Sequence, residues 1–206
     1  MAKGRPREFD SDKALDIALE LFWRHGYEGV SIAALAKALK IKAPSLYAAF
    51  GNKESLFLKV IERYGELNGG MYLDSFKKKT AREVAQAILD GEVELVTQKN
   101  RPNGCLMIQG ALVTSPESEK ISDMMAGMRG MAEGWIADRF KQAQKDGDLP
   151  ADADPKALAC YIMTLNSGLA VQARSGVSKK QLKQVVEIAM QNWPRTITTQ
   201  NKRRIT

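Results

Sequence analysis

A single histidine and two cysteines in 206 residues leave little from which to build a reactive centre. Zinc sites draw on clustered Cys and His, and nucleophilic catalysis most often rests on a histidine base. His25 has no Ser/Asp or Cys partner set that can be assembled around it. Cys105 and Cys160 lie far apart with no CxxC spacing, so neither a disulfide framework nor a zinc site is written here, and reduced thiols are expected. The acidic stretch from Asp146 to Asp154 lacks a calcium-loop spacing. These absences predict no enzyme, no metal and no cofactor. No apolar run approaches the roughly 18–20 residues that span a bilayer. The stretch Met1-Ala-Lys-Gly-Arg-Pro-Arg7 lacks the apolar centre of a secretion signal, so a cytoplasmic protein without a membrane partner is expected. Period-two alternation bounded by turn residues is missing too, which predicts an all-α fold.

What is present is basic charge and helical periodicity. The hydrophobic share of 44% and charged share of 27% suit a globular core, and the length suits one small domain and one larger one. The net charge of +7 favours a polyanionic partner. Its distribution is more telling than its sum. The first seven residues carry Lys3, Arg5 and Arg7 without an acid, and Lys202-Arg203-Arg204 closes the chain.

The spacing predicts a first helix over about Ser11 to Arg24, with Asp10 as N-cap and Ala14, Ile17, Ala18, Leu21 and Phe22 on its apolar face; Gly26 stops it. Ser31 is the next N-cap, and Val30 with Leu35 has the spacing of a hydrophobic staple around a short helix over Ile32 to Leu39. A second short helix covers Lys42 to Phe50, where Pro44 falls in the first turn and costs no helical hydrogen bond. Asn52 caps a helix to about Leu67, and Asn68-Gly69-Gly70 reads as its stop and as the domain boundary. Capping boxes at Thr80-Ala-Arg-Glu83 and Ser178-Lys-Lys-Gln181, a Ser115-Pro116 cap and an Asp154-Pro155 cap fill residues 80 to 193 with helices. The expected organisation is a basic arm (1–8), a helix-turn-helix domain with its connecting helix (9–68), an effector-binding and dimerisation domain (69–194) and a basic tail (195–206).

Three helices in fifty residues, the last two joined by a tight turn, are what a major-groove reader requires: one helix enters the groove while its partner braces it. Leu21, Phe22, Val30, Leu35, Leu39, Ile41, Leu46 and Phe50 would supply the core. Leu21-Phe22 with Gly26-Tyr27, Ile32-x-x-Leu35-Ala36, and Ser45-Leu46-Tyr47 followed by Phe50-x-x-Lys53-Glu54 resemble the TetR family of bacterial transcriptional regulators over residues 8 to 57. One departure is Lys40, which stands at a turn where the family usually has glycine.

The resemblance implies that Lys42-Ala-Pro-Ser-Leu-Tyr-Ala-Ala49 is the recognition helix, with Lys42, Ala43, Pro44 and Ala48 toward the bases. Lys42 has the chemistry to reach guanine O6/N7, while alanine and proline offer apolar contact to a thymine methyl. Ala48 and Ala49 are read equally well as small residues that let the helix approach. Ser31, Ser45, Tyr47 and Lys53 match positions that hold phosphates; the alternatives are a core aromatic for Tyr47 and a solvated charge for Lys53. The Lys3-Gly-Arg-Pro-Arg7 arm resembles a minor-groove hook, with Arg5 and Arg7 entering a narrow groove.

In the larger domain the resemblance implies an unknown small-molecule effector among the central helices and a homodimer through the last two long ones, reading a palindromic operator on double-stranded DNA. Leu158, Tyr161, Ile162, Leu165 and Leu169 form one expected face, and Leu182, Val185, Val186, Ala189 and Trp193 another. Met107, Met128 and Trp135 are candidate pocket residues, or plain core. Cys105, behind Lys99 and Arg101 at a helix start, is a candidate redox or electrophile sensor if those charges favour the thiolate; the alternative is a small buried residue. Cys160 reads as packing. The expected function is a repressor released by an effector. The alternatives are a switch at Cys105, a ligand- or protein-binding module that does not read DNA, and a non-specific architectural binder.

Overall fold

A computed structural model describes residues 11–194. The described residues are helical with no strand, in the order α1 (Ser11–His25), α2 (Ile32–Leu39), α3 (Ala43–Phe50), α4 (Lys53–Phe76), α5 (Ala81–Val96), α6 (Leu106–Gln109), a 3-10 turn (Pro116–Ser118), α7 (Glu119–Lys145), α8 (Pro155–Arg174) and α9 (Lys179–Gln191). The all-α expectation is met. No helix among them is long and apolar enough to cross a membrane. The Asp10 cap, the Arg5/Arg7 arm and the Lys202-Arg203-Arg204 tail lie outside the described residues.

The caps act as the sequence implies. The Ser31 hydroxyl accepts from the Ala34 amide at 3.1 Å, and Val30 and Leu35 are both buried, closing the staple. Asn52 caps α4 through the Ser55 amide at 2.7 Å, and Thr80/Glu83 and Ser178/Gln181 form full capping boxes. Asp154 accepts from the Lys156 and Ala157 amides, with Pro155 in the first turn of α8. Ser115 differs: it starts only the 3-10 turn and makes no side-chain cap.

Lys40 closes α2 at φ 56°, ψ 37°, the sole non-glycine residue of the described chain at positive φ. The left-handed conformation is what the turn needs, since from there the Lys40 and Ile41 amides bond back to Lys37 and Ala36. A Cβ makes it costly, by about 1 kcal/mol.

Two sequence expectations are corrected. The helix predicted to stop at Asn68-Gly69-Gly70 continues to Phe76. A glycine pair ends a helix only if the chain turns left-handed there; here both stay helical, at about 1 kcal/mol each relative to alanine. The remainder of the helix offsets this: Tyr72, Met71 and Phe76 pack on the core, Ser75 is buried, and Asn68 donates to the Tyr64 carbonyl. The buried stripe of α1 is Ala14, Ala18, Leu19, Phe22 and Trp23, whereas Ile17 is exposed and Leu21 only half-buried. The stripe turns because α1 packs both on α4 and on α6 behind it.

The larger domain packs α5 at its centre, against α4, α8, α9 and α7. Arg82 donates to the Met190 carbonyl, tying α5 to α9, and Arg139 reaches the Phe76, Lys78 and Lys79 carbonyls, tying α7 to the end of α4. Replacing Lys40 by glycine removes the Cβ penalty at φ 56°. Urea denaturation should show Lys40→Gly more stable than the wild type by roughly 0.5–1 kcal/mol; an unchanged or lower midpoint would contradict the strain.

Candidate DNA interface and the polar cluster behind it

Helix α3 is buried only at Leu46 and Phe50, four residues apart on one side. Its other side, Lys42, Pro44, Ser45, Tyr47 and Ala48, is exposed, with Ala43 half-buried. Tyr47 is 49% exposed, so the core-aromatic alternative is set aside. The structure thus gathers every expected α3 residue except Ala43 on one outward face. Lys42 is the N-cap residue rather than the first helical one, in extended backbone with no side-chain cap bond.

Beside this face stand Ser31, exposed at the start of α2, and Lys53, half-buried in the first turn of α4. The Ser31 oxygen accepts from the helix, which leaves its hydroxyl hydrogen for an external acceptor. Lys53 lies over the Tyr27 ring, 4.2 Å from its centroid. Desolvation lowers the affinity of its amine for the proton and the Glu28 carboxylate opposes this. Tyr27 itself packs on Phe22 and Phe57. An ammonium fixed on a buried aromatic is better placed for a phosphate than one on a free stem, because less rotamer entropy remains to be lost.

Behind the α1–α2 junction lies the segment from Gly104 to Ser115. The Trp23 indole donates to the Gly104 carbonyl at 3.0 Å, the Tyr27 amide to the Gly110 carbonyl at 2.7 Å, and the Ser115 amide and hydroxyl to Glu28 at 3.1 and 3.2 Å. Gly26, at φ 70°, passes so close that a Cβ there would stand 3.2 Å from the Gly110 oxygen. The small domain is thereby fastened to the large one by this segment, and Arg174 of α8 adds a bond to the Arg24 carbonyl of α1.

Cys105 sits in that segment, and its expected environment is corrected. The thiol faces inward, 3.2 Å from the Tyr64 hydroxyl and hydrogen-bonded to Glu92, instead of facing Lys99, which is exposed. Burial first and the Glu92 charge second push the thiol up to about 12, so the thiolate is disfavoured. α6, with four residues, contributes little to offset this. Cys160, expected in packing, is exposed, on a groove of about 470 Å³ between α7 and α8 that is also lined by Arg129, Glu133 and Met163. Met107 and Met128 are half-buried against the core, and Trp135 is 59% exposed; none of the three lines this groove.

Sequence reasoning missed Glu92, which is 2% exposed in the centre of α5. Burial raises its carboxyl to about 8. Its signal was legible: Glu92 stands four residues after Ile88 and three after Leu89, on the face that packs. Asn166, 2% exposed, stands four residues after Ile162 and three before Leu169 on α8. Among the described residues no cluster of His, Cys, Asp and Glu could hold a metal ion.

A braced helix with an exposed face, phosphate-type side chains at neighbouring helix starts and a helical domain fastened behind define a helix-turn-helix DNA-binding regulator. The family model of bacterial regulatory proteins of the tetR family matches residues 14–60, and that of the tetracyclin repressor-like C-terminal domain matches 81–189. The HTH-type transcriptional repressor ComR of Escherichia coli strain K12 is 34% identical over 206 residues, covering 95% of this chain and 94% of that one. BdcR of the same strain, also named an HTH-type transcriptional repressor, is 30% identical over 183 residues, covering 87% and 86%. A cysteine mutant of the TetR family transcriptional regulator CifR, solved with 26-base-pair operator DNA, is 41% identical with a TM-score of 0.87, covering 92% of this chain and 100% of that one. The chain belongs to the TetR family. The two family models leave residues 61–80 between them, which hold α4 after its first two turns and the connection to α5.

Glu92 binds its proton more tightly folded than unfolded, where its carboxyl has the ordinary 4.5. Its protonated form therefore supports the fold fully below that value, and the support is lost as pH rises toward about 8. Relative to wild type, Glu92→Gln should gain thermal stability progressively across this window and hold a constant lead above it. Melting curves at stepped pH check this, and a flat difference would show a normally titrating carboxyl.

Proposed function

We propose that the chain is a homodimeric, non-catalytic repressor acting on DNA in the cytoplasm and released from its operator by a small molecule bound in the 69–194 domain. The observation that carries the DNA half is the exposed α3 face of Lys42, Pro44, Ser45, Tyr47 and Ala48, flanked by Ser31 and Lys53. Lys42 takes a base edge, and Ala43, Pro44 and Ala48 fit thymine methyls or simply clear the groove floor. Ser31, Ser45, Tyr47 and Lys53 fix register on phosphates, and Arg5 and Arg7 reach into the adjacent minor groove. The names of ComR and BdcR as repressors, and the operator complex of CifR, support this reading.

The dimer rests on an apolar surface that a single chain leaves uncovered. On α8 the expected face divides: Ile162 and Leu169 point inward, Leu158 and Leu165 are half-buried, and Tyr161 is exposed, as is Val171, which lay outside that face. On α9 Leu182, Val186 and Ala189 are buried, while Val185, expected among them, is exposed beside Ile188 at 61%. Helices apolar on two sides need two partners, and the second side fits a copy of this chain in a four-helix contact.

Release follows from the fastening at residues 104–115. An effector that shifts this segment shifts α1 with it, and the two recognition helices of the dimer lose their half-site spacing. The thiolate premise for a switch at Cys105 fails on its burial, so a reversibly bound effector is the favoured reading.

DNA upstream of the chain's own gene, titrated with random competitor across a salt range, tests the function; salt-labile binding to every sequence would mark an architectural binder, and no binding a module. In that titration Lys53→Ala should lower the log–log salt slope by about 0.9 per subunit on specific and random DNA alike, whereas Lys42→Ala should narrow the gap between them. Ile188→Asp should sediment as a monomer and lose about a hundredfold in operator affinity; a dimeric Ile188→Asp variant would place the interface elsewhere.

A further inference from the structure

Among the described residues, the buried side-chain polar atoms without a hydrogen-bond partner are Glu92 Oε1 and Asn166 Oδ1. The two belong to one cluster. Asn166 of α8 donates through Nδ2 to the Tyr72 hydroxyl of α4, and the Glu92 carboxyl of α5 acts electrostatically on both Tyr72 and Tyr64. Cys105 joins it from the 104–115 segment, bonded to the Tyr64 hydroxyl and to Glu92. Arg129 of α7, half-buried, feels the Cys105 charge and has one guanidinium nitrogen on the Met107 carbonyl. Four packed segments therefore converge on two free acceptor oxygens, and buried acceptors are rarely left unmatched.

We propose that Glu92 and Asn166 are the recognition pair for the effector, a small uncharged molecule that presents hydroxyl or amide hydrogens to their two free oxygens. The inference rests on the reading above that this domain takes an effector, and it adds the chemical class. A carboxylate would lose its own hydration to reach two residues that are each 2% exposed. An ammonium would pay its own desolvation to enter a cluster whose members, Tyr64, Tyr72, Cys105 and Asn166, are all uncharged. A neutral hydroxyl pays neither cost, and the Tyr72 hydroxyl, which accepts from Asn166, can donate its hydrogen in return.

The same pair supplies the route to DNA. Glu92 is bonded to Cys105, the residue that opens α6, and the neighbouring Gly104 carbonyl holds the Trp23 indole of α1. A ligand hydroxyl on the free Glu92 oxygen draws on the same carboxyl that meets the thiol, and Cys105 is next in sequence to the fastening of the DNA-binding domain.

The test uses the full-length protein and a panel of short uncharged alcohols, vicinal diols and primary amides, each with its matched carboxylic acid and amine. At least one uncharged member should raise the melting temperature and weaken operator retention by about tenfold, while its acid and amine do neither. Asn166→Leu should abolish both responses with operator affinity in the absence of ligand unchanged, Glu92→Leu should abolish the thermal shift, and Glu92→Gln, which keeps an oxygen acceptor, should retain both responses. Glu92→Gln also keeps the test readable if either leucine variant fails to fold. Responses confined to acids or amines, an unaltered response in Asn166→Leu, or silence across the panel would overturn the assignment. A wild type that shows the thermal shift but holds no operator would fault the DNA-binding reading and leave the ligand pair standing.

Discussion

The indole of Trp23 is the constraint around which the two halves of the molecule are arranged. Its ring is 1% exposed and stacks edge-on against Tyr64, so its N–H has to find an acceptor inside the protein. The acceptor is the carbonyl of Gly104, 81 residues away in the other domain. Once that bond is made, Tyr27 and Glu28 fall within reach of Gly110 and Ser115, and the Gly26 backbone meets Gly110 so closely that a Cβ would crowd its oxygen. Position and orientation of α1, and of the α2–α3 pair packed on it, are then tied to a segment of the C-terminal half as well as to α4. A coupling between the two sites needs a contact of this kind, one that cannot be lost at one end without being felt at the other.

Electrostatics at the junction work in the same direction. Glu28 is held by hydrogen bonds from Ser118 and Ser115, which lower its affinity for the proton and keep it ionised. It also lies close enough to Lys53 for its charge to be felt there. While the serines hold the carboxylate, the ammonium rests on Tyr27 and faces outward. If the 110–118 segment withdraws, the freed carboxylate becomes a competitor for the same ammonium that would bind a phosphate. In the proposed release, one movement would thus displace α3 and weaken the phosphate contact proposed for Lys53.

Much of this was legible in the sequence, for reasons that differ by element. Caps are local: Ser31, Asn52, Thr80, Asp154 and Ser178 act within three residues of themselves, so a short window contains the whole interaction. The exposed face of α3 followed from the spacing of Leu46 and Phe50. The continuation of α4 through Gly69-Gly70 was not legible, because the contacts that offset the glycines come from residues such as Gly91 and Asn166, far along the chain. The Cys105 environment failed for a similar reason: Lys99 and Arg101 are its neighbours in sequence, but Tyr64 and Glu92 are its neighbours in space.

Division of the apolar residues on α8 and α9 carries the last step. Periodicity gave each helix one apolar face, and packing split it, with Ile162 and Val186 turned to the core and Tyr161 and Val185 to the surface beside Val171 and Ile188. A face wider than one neighbour can cover is the sequence mark of a helix with two neighbours. The inward halves pack on α5, the helix that bears Glu92, and the outward halves are the surface proposed for the second chain. A ligand at Glu92 and Asn166 would thus sit on helices that border both the dimer surface and the 104–115 fastening, where a small displacement alters the angle between subunits and the angle of α1 together.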